Sequence, residues 1–339
     1  MKAEIRVGII GANKVGISHA NGIAIAGQGI KLTAVSDIIR DRAESLAKPA
    51  EAAVYTDYLE MLDKEEMDVV IVATPHSLHR QHALDVINRG FNLLLEKPVA
   101  TSMEDAYQIA EACEKNKVKV SISHVHRFRQ ELQTAKRCIL DNCLGSPYLI
   151  MDFFGITGGA HIPAWVYEKE ISGGGILMYG AVHDFDYLSW LINSSIKEVY
   201  CEIIPSEIGH GTEKAAICTL HFENGIIASL TAGNTNYQMI NKTRSVDIYG
   251  TEGMLRIITG ESFYFNGHDT VYEEKTIKDN PFQKQIREFA KAVREDRAPW
   301  ITIKDGLHSL AVCLACYESA ETKRIVSLNK YLKEQDKNK

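Results

Sequence analysis

The chain is expected to be an α/β protein in two parts: an N-terminal doubly wound parallel sheet, then a C-terminal α+β domain on a large open mixed or antiparallel sheet. Three observations predict this. Short apolar runs alternate with helical stretches over the first third. A glycine-containing turn joins the first run to its helix. After about residue 125, strand patterns follow one another across tight turns such as Glu223-Asn224-Gly225.

In chain order, the first part has strand patterns at 6–10, 31–36, 68–73, 91–95 and 117–121, with helical patterns at 77–89 and 103–116. Apolar strands separated by helices form βαβ units with right-handed crossovers. The second part opens with a helix at 130–142 and continues with strands at 148–154, 196–204, 215–222, 226–232 and 245–249. Helices at 282–295 and 304–325 close the chain and are expected to pack back towards the first domain. The expected domains are 1–125 for dinucleotide binding and 126–330 for substrate binding and assembly. The lysine-rich stretch 330–339 reads as a loose tail.

With 339 residues, the chain exceeds the size at which single cores stop growing, which agrees with two domains. A formal charge of −6 and a pI near 6.1 provide no basic field for a phosphate backbone, so nucleic acid is excluded as a partner class. Seven cysteines without dense spacing point to a reducing compartment, and Cys313 and Cys316 sit in an apolar helical stretch as core residues. The N-terminus runs straight into a strand pattern and no long apolar span follows. Neither a signal peptide nor a membrane helix is expected, and the protein is placed in the cytoplasm.

The first chemical motif is Gly8-Ile9-Ile10-Gly11-Ala12-Asn13-Lys14-Val15-Gly16, a G-x-G-x-x-G turn with Asn13 at the middle glycine. Gly11 permits the tight turn and Gly16 the close approach of helix to strand, while the helix N-terminus offers N–H groups to a pyrophosphate. Asn13 is compatible with the turn because asparagine tolerates left-handed backbone, although its Cβ crowds the diphosphate. Asp37, followed by Ile38, ends the second strand where a carboxylate accepts from the adenosine ribose hydroxyls and repels a 2′-phosphate. NAD is therefore favoured over NADP, with Arg40 and Arg42 near enough to hold a phosphate. A helix N-cap is the structural alternative for Asp37.

Ala73-Thr74-Pro75-His76 ends the next strand but one, and His79 follows on its helix; these residues are expected to border the nicotinamide. His82 lies one turn on and reads as a solvated histidine, since no carboxylate or cysteine cluster completes a metal site. Glu96-Lys97-Pro98 ends the following strand, where the proline restricts the lysine before it. Alone, this would be a charged turn. Behind a nucleotide-binding start it places a cationic donor beside a cofactor.

These segments, with His126-Arg127-Phe128 and Gly173-Gly174-Gly175 through Tyr179, His183, Asp184 and Asp186, make the chain resemble the Gfo/Idh/MocA family of NAD(P)-dependent oxidoreductases. The resemblance implies a Rossmann domain, a second domain whose open sheet face builds homodimers or homotetramers, and a cis bond between Lys97 and Pro98. It also implies that His183 is the acid/base group. The aspartate that the family carries four residues earlier is replaced by Tyr179, which cannot orient an imidazole as a carboxylate does. Tyr179 and His183 are expected to share a helical face, with Asp186 and Trp190 further along it.

The implied reaction is hydride transfer from a secondary carbinol carbon to nicotinamide C4. Lys97 would hydrogen-bond the substrate oxygen and His183 would accept its proton, or Tyr179 would do so with Lys97 lowering its pKa. His126, His161, Trp165, Tyr167 and Lys169 offer ring-stacking and polar groups for a sugar, glycoside or polyol. Arg127 is placed to meet cofactor or substrate, or to pair with an acid. Two other readings remain: an NAD-dependent glycosidase or lyase with transient oxidation, and a cofactor-binding regulatory protein without turnover.

Overall fold

The computed structural model describes residues 4–27, 29–158, 162–208, 210–235, 244–267, 270–277 and 279–333. The chain divides into two compact units, one of residues 1–125 and 280–306, the other of 126–279 and 307–339. It thus crosses between units three times: residues 280–306, expected in the second domain, belong with the first.

The first unit holds a six-stranded sheet of order β3-β2-β1-β4-β5-β6 among the described residues. Its strands are β1 (Ile5–Ile10), β2 (Ile30–Ser36), β3 (Ala53–Tyr55), β4 (Val69–Val72), β5 (Asn92–Leu95) and β6 (Val120–Ile122). Every pairing is parallel. Near-continuous apolar runs make this possible, because such a sheet is covered on both faces. The order reverses between β1 and β4, which creates the crevice at their carboxyl ends where ligands bind in such sheets. The helix Pro281–Arg294 returns to this unit for a physical reason. Its Ile286, Phe289 and Ala290 fill the core cluster of Ile9, Ile23 and Val35, and each large side chain so buried contributes about 1.5–3 kcal/mol. Asn280 caps it by accepting from Gln283 N–H, and Pro281 follows at the first turn.

Among the described residues, the second unit holds a nine-stranded mixed sheet of order β14-β13-β12-β11-β7-β10-β9-β8-β15. The strands are β7 (Pro147–Thr157), β8 (Ile196–Pro205), β9 (Glu213–Phe222), β10 (Ile227–Thr235), β11 (Arg244–Gly250), β12 (Gly253–Ile258), β13 (Ser262–Gly267), β14 (Thr270–Lys275) and β15 (Val326–Ser327). β7 and β10 pair in parallel and the other neighbours antiparallel. Alternation sets the two faces. Ile150, Cys218 and Leu230 point inward, while Met151, Ile217 and Ile227 point outward and remain 45–61% exposed. The helix Gln130–Leu140 packs on β12, β13 and the helix Val182–Ile192. Cys316, on the helix Ile303–Thr322, meets Cys201 of β8 and Cys218 of β9, and the three buried sulfurs lie within 4.8 Å of one another. The expected core role of Cys316 thus involves two further cysteines. No described helix is long and apolar enough to cross a membrane.

Candidate active site

In the first unit the glycine turn has the shape of a cradle for a dinucleotide. Gly11 has φ +98°, and a Cβ on it would lie 2.5 Å from the Ala73 carbonyl oxygen at the end of β4. A Cβ on Gly16 would lie 2.1 Å from the Gly11 carbonyl oxygen. No other residue fits either position without moving the backbone. The helix Lys14–Ala26 starts here with Asn13 as its N-cap, at φ −87° and ψ −167°. That backbone is extended, so the left-handed tolerance expected of Asn13 is not used, and its side chain makes no cap bond. Asn13 and Lys14 are exposed, Val15 is half-buried, and the first-turn N–H groups open the helix.

Asp37 ties this turn to the end of β2. Its Oδ2 accepts from Ala12 N–H at 2.8 Å and its Oδ1 from Ile39 N–H at 2.9 Å. The N-cap of the next helix is Ile39, so Asp37 does not cap it. Each carboxylate oxygen keeps a second lone pair for a ribose hydroxyl. Ile38 beside it is 89% exposed and available to an adenine face. Arg40 is engaged with Glu44 at 2.7 Å. The residues present therefore fit NAD: a cradle only glycine permits, a helix N-terminus for the diphosphate and a carboxylate for the ribose.

Ala73, Thr74 and Pro75 form the half-buried turn after β4, with Ala73 N–H donating to Ile10 O across to β1. Lys97 follows β5 through a cis Lys97-Pro98 bond and is half-buried. The histidines around these turns are buried. His76 is 3% and His79 0% exposed. His79 lies between the two turns, with Nδ1 2.7 Å from Pro98 O and Nε2 2.9 Å from Thr74 O; the neutral ring donates to one of these carbonyls. Burial pushes its pKa below the ordinary value. His82 is likewise buried, not solvated: it packs edge-on to Tyr58 and meets Thr74 Oγ1 at 3.0 Å, and burial lowers its pKa to about 4.

Glu96 is the buried anion behind Lys97. His19, on the glycine-turn helix, meets Glu96 Oε1 at 2.7 Å, and Lys97 N–H donates to Oε2 at 3.3 Å. Burial opposes ionisation of this carboxyl. His19, Lys97 and Ser123 outweigh that and hold it below the ordinary carboxylate value. Glu96 thus braces the Lys97 turn from inside and is itself 6% exposed.

In the second unit, Tyr179 lies in a π-helical turn, Leu177–Ala181, that runs into the helix Val182–Ile192 carrying His183. The wider turn loosens the i, i+4 alignment expected of Tyr179 and His183. Tyr179 meets Trp165 edge-on at 6.3 Å. Tyr167 is half-buried and Lys169 exposed. His161 lies outside the described residues. The start of this helical stretch is held by Glu213, which accepts from Gly175 N–H and Leu177 N–H at 2.8 Å each and from Tyr317 Oη at 2.9 Å.

His126 stacks on His183 with ring centroids 4.4 Å apart and planes 12° apart. Arg127 is taken up by Asp186, Nε to Oδ2 at 2.8 Å and Nη2 to Oδ1 at 2.5 Å, with both side chains buried. Of the roles open to it, the structure shows the acid pairing. Arg244, not singled out in the sequence, places Nη1 2.9 Å from His126 Nδ1 and Nη2 3.0 Å from Asp184 Oδ2. Tyr187 Oη reaches Asp184 Oδ1 at 2.5 Å and both oxygens of Asp152. Burial raises the pKa of both carboxyls. Asp152 is raised the more, because the neighbouring Asp184 anion adds to its burial while Arg244 lies on Asp184. The Asp184 carboxylate favours the protonated form of Asp152, and Arg244 favours the ionised form of Asp184.

Residues 5–124 match the model of the oxidoreductase family with an NAD-binding Rossmann fold, and residues 132–256 match that of the GFO/IDH/MocA C-terminal domain. The chain is 25% identical to the scyllo-inositol 2-dehydrogenase (NAD(+)) of Bacillus subtilis, over 94% of this chain and 95% of that protein. It is also 25% identical to the 1,5-anhydro-D-fructose reductase of Ensifer adhaerens, over 94% and 96%. A levoglucosan dehydrogenase solved in complex with NADH shares the fold with TM-score 0.88 and 18% identity, over 96% of this chain and 99% of that one. With both domain models matched across most of its length, and with the cradle, the Asp37 acceptor and the Lys97 turn in place, the chain belongs to the GFO/IDH/MocA family of NAD-dependent oxidoreductases.

Proposed function

We propose that this enzyme oxidises a secondary hydroxyl of a sugar, glycoside or cyclic polyol, with Lys97 and His183 acting on the same alcohol oxygen. The observation that carries the reading is Lys97 itself: a half-buried cation braced by buried Glu96, at the carboxyl end of β5, two strands from the glycine cradle that follows β1. Similarity to inositol and anhydrofructose enzymes supports the substrate class.

Bound NAD supplies the two-electron acceptor for the carbinol C–H bond. Lys97 hydrogen-bonds the alcohol oxygen and stabilises the negative charge that grows there as the C–H bond breaks. His183 takes the hydroxyl proton, since an imidazole titrates near neutral pH and a phenol such as Tyr179 does not. Trp165 and Tyr179 offer aromatic faces to the sugar ring. Asp37 favours NAD over NADP, because its carboxylate would face a 2′-phosphate.

The outward face of the β7, β9 and β10 strands, with Met151, Ile217 and Ile227, takes a second copy of the chain. The seven cysteines are thiols, which supports work in the reducing cytoplasm.

Purified protein mixed with NAD or NADP and a panel of inositols, aldoses and glycosides tests the activity. Steady growth of reduced-cofactor absorbance with a polyol, faster with NAD, is expected. Release of an aglycone without such growth would overturn the dehydrogenase reading.

A further inference from the structure

We propose that His126 is a positioning residue for His183: a neutral imidazole, its tautomer fixed by Arg244, lies flat on the His183 ring and stabilises the imidazolium formed when His183 takes the substrate proton. The proposal rests on the reading of His183 as the base. It gives this chain a substitute for the carboxylate that Tyr179 has displaced.

The hydrogen-bond chemistry assigns the proton. A guanidinium has donors only, so the 2.9 Å contact from Arg244 Nη1 requires His126 Nδ1 to present its lone pair, and the ring proton sits on Nε2. Protonating His126 would set an N–H against the guanidinium and break that bond. Of the two stacked rings, His126 is therefore the one whose protonation costs this hydrogen bond. The positive charge of protonated His183 then faces the π-cloud of a neutral ring, an attractive arrangement.

Arg244 is well placed to hold this tautomer. It is 4% exposed, lies 4.1 Å over the Phe154 ring, contacts Gly180 O at 3.4 Å and is ion-paired to Asp184. His126 is also parallel to Tyr187, one helical turn beyond His183, at 6.3 Å and 5°. The other titratable and charged groups around the pair come from several elements. Asp184 and Tyr187 lie on the His183 helix, Asp152 on β7, Arg244 on β11, Tyr179 in the π-turn, and Arg127 and Arg129 just after His126. Arg244 offsets Asp184, Arg127 offsets Asp186, and burial favours the protonated form of Asp152. The formal charge of this cluster thus lies mainly in matched pairs, and the stacked ring is the group in direct contact with His183 whose state the network sets.

Two substitutions separate a ring effect from a merely structural one. His126→Gln keeps an oxygen acceptor for Arg244 but removes the ring; His126→Phe keeps a stacked ring but removes the acceptor. The readout is the titration midpoint of His183 followed by NMR of its ring C–H protons, assigned with His183→Asn, together with the pH profile of kcat/KM. The midpoint is expected to fall by about half a pH unit in His126→Gln and to stay closer to wild type in His126→Phe. The acid limb of kcat/KM should move with it. A midpoint unchanged in His126→Gln, or lowered in His126→Phe alone, overturns the proposal. A lowered midpoint in His126→Gln alongside near-normal turnover of His183→Asn upholds the ring pairing and overturns the base assignment instead.

Discussion

Asp37 shapes a turn and, in the proposed function, selects the cofactor. Its two oxygens accept from Ala12 and Ile39 N–H groups, which fixes the carboxylate where a ribose would meet it. Asp37→Ala is therefore expected to weaken NAD by about 10- to 100-fold, the worth of hydrogen bonds to a charged group, and to weaken NADP much less. Fluorescence titration with both reduced cofactors checks this; an unchanged NAD to NADP ratio would place the ribose elsewhere. Gly11, Gly16 and Asp37 were legible in sequence because strand, turn and helix are local and the turn tolerates few residues. His126 and Arg244 were not legible as a pair, being 118 positions apart with no pattern to join them. The burial of His76, His79 and His82 was missed for a related reason: histidine spacing reports a helical face but not what packs against it.

At the scale of elements, β7, β11 and the His183 helix meet through a buried carboxyl pair. Asp152→Asn should be tolerated, since an amide replaces a protonated acid and can still donate to Asp184. Asp184→Asn should cost about 3–5 kcal/mol, because it strands the buried Arg244 charge. The sign of the pH effect follows from the raised pKa of Asp152 in the folded state. Between the unfolded carboxyl value, near 4, and the raised folded value, the folded chain holds a proton that the unfolded chain has lost, so this group makes stability fall as pH rises. Removing it should make Asp152→Asn gain relative to wild type from pH 4 to pH 7, as read by denaturant unfolding; a constant difference would mean Asp152 is ionised when folded. The long strands and most helices were readable from their periodicity. β3, with three residues, β12, β13, the two-residue β15 and the edge strand β14, which carries Glu273, Glu274 and Lys275, were not. Short or charged edges protect against unwanted pairing and in doing so erase the strand signal. The π-turn before His183 also leaves no mark in a sequence read for a helical period.

For the whole molecule, the outward sheet face exposes Met151, Ile217 and Ile227, more apolar surface than a solvated sheet needs. If the proposed second copy docks here, Met151→Lys is expected to give a monomer by light scattering where the wild type gives a larger mass, while leaving the unit folded by circular dichroism; retention of the wild-type mass would overturn this interface. The helix at 282–295 was expected to pack back towards the first domain, but the sequence did not show that residues 280–306 form part of that unit, because an amphipathic helix reveals an apolar stripe without naming its partner. The central claim joins one residue from each unit in a single reaction. Its most direct test is the turnover of Lys97→Ala and His183→Ala with NAD and the best polyol substrate, beside circular dichroism to verify folding. The account predicts a fall in kcat of about 100-fold or more for each variant. Near-normal turnover in either folded variant would contradict it.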